Sequence, residues 1–239
     1  NPVTRSSKYF ISAPFGNYLQ FQNAISVTGS WTVKARPGLL WQIIKTLRYV
    51  KSEAGFSWRN KIGLRNAGIH EGIKRRRTFD VLSIASIQKW DWINLDSIVN
   101  ENQSIEVNIS CPNLDNHEDT STFPGFDLFP KTKRYWCICK IPPTASNELI
   151  DRIVDSGYTQ IHASNTLPSD KGGLSGKILV PHTLRIIEYI KTKYPHVSVI
   201  AGGGVTKKWH ADYYRDNGAD HISLGTVCFT PWKINSIIN

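Results

Sequence analysis

The sequence predicts an α/β fold, on two observations: eight apolar runs of strand length, and helix-period segments between several of them. The runs are 9-YFISAPF-15, 24-AISVTGS-30, 80-DVLSIAS-86, 104-SIEVNIS-110, 135-YWCICKI-141, 158-YTQIHAS-164, 197-VSVIAGG-203 and 219-ADHISLG-225. Strands separated by helices read as a parallel sheet, and a count of eight favours closure into a compact (β/α)8 TIM barrel over an open doubly wound sheet. The 239 residues fall just short of the size usual for that barrel, which implies shortened crossover segments. One domain over 1–239 is the simplest organisation, with no internal repeat, low-complexity tract or long linker to demand another.

The helix-period segments are 39-LLWQIIKTLRYV-50, 92-WINLDSIVN-100, 146-SNELIDRIVDSG-157, 181-PHTLRIIEYIKTKY-194 and 207-KKWHADYYRDNG-218. Ser146 can cap the turn that holds Glu148 and Leu149, Pro181 suits a first helical turn, and Gly157 and Gly218 suit termination. The strand 104–110 should stop at Pro112, which removes a backbone donor. The connection 114-LDNHEDTSTFPGFDLFPKTKR-134 lacks a convincing helix and reads as a loop. It either forms a mobile lid over Cys111 or is a structural economy packed by Phe123, Phe126, Leu128 and Phe129.

A formal charge of +10 suits phosphate, an anionic substrate, nucleic acid or an acidic membrane surface. Positive charge gathers at Lys45, Arg48, Lys51, Arg59, Lys61, Arg65 and 74-KRRR-77, either as a binding face or as a solvated basic surface. The tryptophans do not recur with a module-like spacing, so nucleic acid is a minor reading. No apolar run approaches the roughly 18 residues of a membrane span, and 1-NPVTRSSKY-9 has no signal-peptide core. The four cysteines, 111, 137, 139 and 228, form no zinc-ligand framework, and the dispersed histidines make no metal triad. A reduced, cytoplasmic protein without a bound metal is the economical expectation, with most histidines structural or solvent-facing.

The hexapeptide 108-NISCPN-113 places a thiol between two amides at a strand end, a position that faces the active site in a (β/α) barrel. Against this stands the usual fate of a free cysteine as a small buried hydrophobe. The glycines of 202-GGG-204 and the pair 225-GT-226 follow consecutive strands, where backbone amides at close approach can cradle phosphate. Lys140, near the end of the fifth run, can stabilise a developing anion or simply make a salt bridge. Asn108, Asn113 and Asn165 can recognise a heterocycle or cap local turns. The segments 172-GGLSG-176 and 60-NKIGLRN-66 each read as a close-approach loop or an ordinary turn.

Taken in order, 60-NKIGLRNAG-68, 108-NISCPN-113, 138-ICKIPP-143, 165-NT-166, 172-GGLSG-176, 201-AGGG-204 and 223-SLGT-226 resemble the dihydroorotate dehydrogenase family across most of the chain. The resemblance implies an FMN-containing barrel that couples oxidation of dihydroorotate to orotate with reduction of an acceptor. Cys111 resembles the base of the class 1 enzymes, which takes the C5 proton while hydride leaves C6 for flavin N5. Asn60, Gly63, Leu64, Asn108, Asn113, Asn165 and Thr166 would line the substrate site. Lys140 would meet the flavin N1/O2 edge, and Gly173, Gly203, Gly204, Gly225 and Thr226 would hold FMN and its phosphate.

The chain departs from the pattern at Gly29, where the family usually has a lysine that contacts flavin and substrate; Lys34 lies beyond the matched position. The departure keeps open another dihydropyrimidine or small acid as substrate, and a non-enzymatic flavin-binding protein. The expected partners are a small anion related to dihydroorotate and a soluble electron acceptor. The family also forms homodimers or works with an electron-transfer subunit, and no interface signature chooses between these.

Overall fold

The structure is a computed structural model that describes residues 6–38, 47–52, 55–60, 64–110, 118–164, 167–169 and 172–239. All eight expected strands form. They are β1 (Tyr9–Ile11), β2 (Ala24–Trp31), β5 (Val81–Ile84), β6 (Ile105–Asn108), β7 (Cys137–Ile141), β8 (Gln160–Ala163), β11 (Ser198–Gly202) and β12 (His221–Leu224). They close in the order β1-β12-β11-β8-β7-β6-β5-β2, and every neighbouring pair is parallel.

Alternation along these strands sorts side chains into two layers. Phe10, Val27, Val81, Trp136, Ile138 and Ile200 cluster by themselves and fill the barrel interior. Their sequence neighbours Ile11, Leu82, Cys139 and Val199, with Ile105, Ile161 and Ile222 on other strands, face outward into the larger core beneath the helices.

The helices among the described residues are α1 (Ile69–Arg75), α2 (Asp91–Ile98), α3 (Asn147–Asp155), α4 (Val180–Lys193), α5 (Lys208–Asp216) and a last turn, α6 (Asn235–Ile238). The expected boundary signals hold. Ser146 accepts from Leu149 N–H at 3.1 Å, Pro181 lies in the first turn of α4, and Gly157 and Gly218 take φ of +104° and +108° just past their helices.

Three local readings change. Residues 39–46 of the first expected helix lie outside the described residues, but its end does not continue as helix: Arg48–Ser52 is strand β3, paired antiparallel with β4 (Gly55–Asn60). The segment 172–176 is not a loop but strand β10 (Gly172–Gly176), which pairs with β4 on one edge and β9 (Leu167–Ser169) on the other. A short helix, α1, occupies a stretch with no helix expectation. The sheet β3-β4-β10-β9 is thus assembled from the connections that follow β2 and β8, which leave the C-terminal ends of barrel strands.

The long connection before β7 is packed wherever it is described. Phe126 stacks on Tyr158 with ring centres 4.8 Å apart, Phe129 meets the Trp92 ring edge-on, and Trp92 Nε1 donates to Thr120 O at 2.7 Å. Residues 118–134 therefore favour the structural-economy alternative, with 114–117 outside the described residues.

Candidate active site

Inward-facing polar side chains replace the apolar filling toward the C-terminal ends of the barrel strands. The parallel register sets Asn108 opposite Lys140, and Lys140 opposite His162, so one face of β6, β7 and β8 carries all three. Lys140 is buried, at 4% exposure, rather than solvated at a strand end. Glu106, two residues before Asn108, shares that face and pairs with His162 at 2.9 Å.

Asn108 works in two directions. Its Oδ1 accepts from Ser110 N–H at 3.0 Å, the turn-capping role, while its Nδ2 donates to Ser30 Oγ at 3.0 Å. Ser30 is in turn 2.6 Å from Ser83 Oγ. Asn66 has no amide to spare. Its Oδ1 takes the N–H groups of Thr32 and Gly68, and its Nδ2 serves Leu64 O and Thr32 Oγ1. It fastens the 64–68 segment to the loop after β2, with the Leu64 side chain buried beside it.

The glycine loops also sit at the C-terminal ends. Gly203 and Gly204 adopt φ of +105° and +72° directly after β11, and Gly225 and Thr226 follow β12 directly. Among the described residues, no acceptor takes the N–H groups of Gly204, Gly225 or Thr226, and a Cβ built on Gly225 would meet nothing within 4 Å. A free amide beside open space is what a phosphate-bearing cofactor needs, so the Gly225–Thr226 loop fits the phosphate of FMN, whereas Gly204 is buried, with Lys177 Cα 3.0 Å from a built Cβ. At Gly203 the reason for glycine is different: a Cβ there would lie 2.6 Å from Leu179 Cβ.

In the small sheet, Asn60 pairs with Gly173 across β4 and β10, which joins an expected substrate position to an expected cofactor position through the backbone. Gly63, Cys111, Asn113, Asn165 and Thr166 lie outside the described residues. Gly29, where a lysine is the family's usual residue, has φ +104°, and its N–H donates to Asn17 Oδ1 at 2.9 Å. A Cβ there would come within 2.4 Å of Ser83 O. Lys34 is exposed on the loop beyond.

The remaining thiols are poor bases. Burial pushes Cys137 and Cys228 up to about 12, and raises the fully buried Cys139 as well. Among the described residues no cluster of potential metal ligands occurs, and no helix is long and apolar enough to cross a membrane.

Sequence reasoning passed over Ser30, Ser83, Glu106 and His162. The available signal was Glu106 itself, a carboxylate on the inward phase of an apolar strand.

The family profile described as "Dihydroorotate dehydrogenase" matches residues 13–239. Among curated proteins, the chain is 26% identical to "Dihydroorotate dehydrogenase B (NAD(+)), catalytic subunit" of Oceanobacillus iheyensis, covering 100% of this chain and 88% of that one. The corresponding protein of Thermotoga maritima is 27% identical over 71% of this chain and 72% of its own length. Among solved structures, ligand-free type DHODH from Eimeria tenella superposes with a TM-score of 0.70 at 16% identity, covering 89% of this chain and 75% of that one, a likeness of fold.

Proposed function

Because the chain belongs to the dihydroorotate dehydrogenase family, whose members are flavin-dependent oxidoreductases of pyrimidine chemistry, we propose that it is a single FMN-binding barrel domain that oxidises dihydroorotate to orotate. The observation that carries this reading is the convergence of Asn108, Lys140, the glycine turn at Gly203–Gly204 and the open amide loop of Gly225–Thr226 on the C-terminal ends of one barrel.

FMN, when bound, supplies the two-electron acceptor for hydride leaving the substrate. The protein supplies the rest. The loops after β11 and β12 would hold the phosphate by backbone N–H groups, and Lys140 would present a cation to the flavin's pyrimidine edge. Asn108, with Asn60, Asn113 and Asn165, orients the substrate ring, assisted by Gly63, Leu64 and Thr166, while Gly173 on β10 belongs to the cofactor side. Cys111 takes the C5 proton, and its thiol needs a local electrostatic push because an ordinary cysteine is mostly protonated near neutrality. A soluble acceptor in the cytoplasm would take the electrons onward; the name of the Oceanobacillus iheyensis relative, which includes NAD(+), supports an acceptor of that kind.

Gly29 favours a second substrate reading. With hydroxyls of Ser30 and Ser83 in place of a cationic side chain, another dihydropyrimidine or small acid is the competing substrate of the same FMN enzyme. An anaerobic spectral titration tests both. Protein of measured FMN content should bleach on addition of dihydroorotate; efficient bleaching only by uncharged dihydropyrimidines reassigns the substrate. Failure of gently purified protein to bind added FMN overturns the cofactor reading.

A further inference from the structure

One buried charge in the barrel lies outside the residues assigned above to flavin and substrate. Glu106 and His162 have side chains only 1% and 3% exposed, and they pair through Oε2 and Nδ1 at 2.9 Å. The second carboxylate oxygen, Oε1, is buried and has no hydrogen-bond partner among the described residues. A carboxylate in such a place is costly unless neighbouring charge and hydrogen bonds support it.

The surroundings decide its ionisation. Burial pushes the Glu106 carboxyl up, but the His162 ring, the Lys140 cation and the Ser83 hydroxyl together outweigh that and hold it below the ordinary carboxylate range. Burial pushes His162 down, the Lys140 charge adds to the fall, and the attraction of Glu106 does not reverse it. The pair is therefore an ionised Glu106 accepting Nδ1–H from a neutral His162. The titratable groups that face Glu106 from adjoining strands are Lys140 on β7 and His162 on β8, while β5 contributes only the Ser83 hydroxyl.

The third member of this set is the cation. Lys140 lies opposite Asn108, one inward position nearer the C-terminal rim than Glu106. It makes no direct ion pair among the described residues, so Glu106 acts on it, and on whatever it binds, through the field. His162 is also close-packed from the other side: a Cβ on Gly202 would lie 3.3 Å from its Nε2.

We propose that Glu106 and His162 form a positioning pair that sets the flavin's redox balance, by fixing a negative charge one layer beneath the Lys140 cation so that the anionic reduced flavin gains less from Lys140 than it would from an unopposed cation. The proposal rests on the FMN reading. His162 acts through Glu106, and neither residue touches the reacting atoms.

The test is the midpoint potential of bound FMN in the wild type, E106Q and H162F, each checked for fold by circular dichroism and for flavin content. E106Q, close to isosteric, should favour flavin reduction at least tenfold, which for a two-electron couple is about 30 mV upward. H162F strips the carboxyl of its donor, so the group should take up a proton near neutral pH. Its potential should then match E106Q at pH 7 and return toward the wild type in alkali, a return that E106Q cannot make.

A flavin-independent readout accompanies this: in wild-type protein without FMN, the His162 ring nitrogens should report a neutral ring protonated at Nδ1 at pH 7. An imidazolium there overturns the proposal, as does an unchanged or lowered potential in folded, flavin-loaded E106Q. Absence of FMN binding by the wild type overturns the cofactor reading and this inference with it, whereas binding with an unmoved potential overturns the inference alone.

Discussion

Asn108 Nδ2 donates to Ser30 Oγ at 3.0 Å, joining residues 78 positions apart across the intervening strand β5, whose Ser83 hydroxyl lies 2.6 Å from the same Ser30 oxygen. The contact fixes the amide that the proposed function assigns to the substrate ring. S30A leaves that amide without its acceptor, at a cost of about 1 kcal/mol. For a chain of this size that is a fall in melting temperature of roughly 2–4 °C. The substrate KM should rise severalfold while FMN affinity stays within a factor of two. A variant with unchanged KM would remove Ser30 from the site.

Gly29 is locked into its role by backbone geometry. With φ at +104° and Ser83 O only 2.4 Å from a built Cβ, any side chain must displace a neighbouring barrel strand. G29K should therefore lose about 2 kcal/mol or more of stability rather than restore a family-like cation. G29A should lose nearly as much, since the strain begins at Cβ. Chemical denaturation of the three proteins decides this, and a G29K midpoint equal to that of the wild type would contradict the geometry.

The barrel was legible because each of its strands carries its own apolar phase, and the caps of α3 and α4 were legible because Ser146 and Pro181 act within one turn. The small sheet was not. In β3 the residues Arg48, Tyr49, Val50, Lys51 and Ser52 present no apolar face, and the glycines of β10 mimic a turn; both become strands only because β4 lies between them. Helix α1 was hidden by Gly72, which is needed because a Cβ there would lie 2.6 Å from the Trp31 ring. At the site, the motif residues could be named singly, but the Glu106–His162 pair required the β6–β7–β8 register, which no local pattern encodes.

Thiolate chemistry should trace to Cys111. With Cys137 and Cys228 pushed up to about 12 by burial and Cys139 raised too, none of the three ionises near neutral pH. C111A should keep its fold and FMN yet lose substrate-driven flavin reduction, by at least about a hundredfold for removal of a general base. Equal anaerobic reduction rates for the two proteins between about pH 6 and 9 would reject Cys111 as the base.

Asp151 ties α3 to α4 in a pH-dependent way. Its carboxylate accepts from Tyr194 at 2.6 Å, Tyr189 at 2.7 Å and Lys193 at 3.0 Å, and these hydrogen bonds, the Tyr194 bond foremost, lower it to about 2. A depressed carboxylate contributes stability that is present above its unfolded value of about 3.9 and is lost as pH falls through the folded one. D151N should lose that contribution at pH 7 and converge on the wild type as pH falls toward the folded value, so its stability profile is the flatter of the two between those values. The effect is modest because the carboxylate is only partly buried and solvent screens it. Parallel acid-denaturation profiles for D151N and the wild type would dismiss the linkage.

The two glycine loops should respond differently to the same small change. At Gly203, φ of +105° and the Leu179 Cβ at 2.6 Å make alanine a folding defect, with an expected loss of about 1–2 kcal/mol whether or not FMN is added. At Gly225, φ is −112° and a Cβ meets open space, so G225A should cost at most about 1 kcal/mol of stability. That open space is where the phosphate is proposed to approach the N–H groups of Gly225 and Thr226, which have no acceptor among the described residues. A methyl group there holds the phosphate away from its donors, and the expected result is at least about a tenfold loss of FMN affinity, or 1.4 kcal/mol. The decisive comparison is the FMN dissociation constant of each variant beside its melting temperature without FMN. G225A binding FMN as tightly as the wild type would move the phosphate away from the end of β12, and a fully stable G203A would refute the packing account of Gly203.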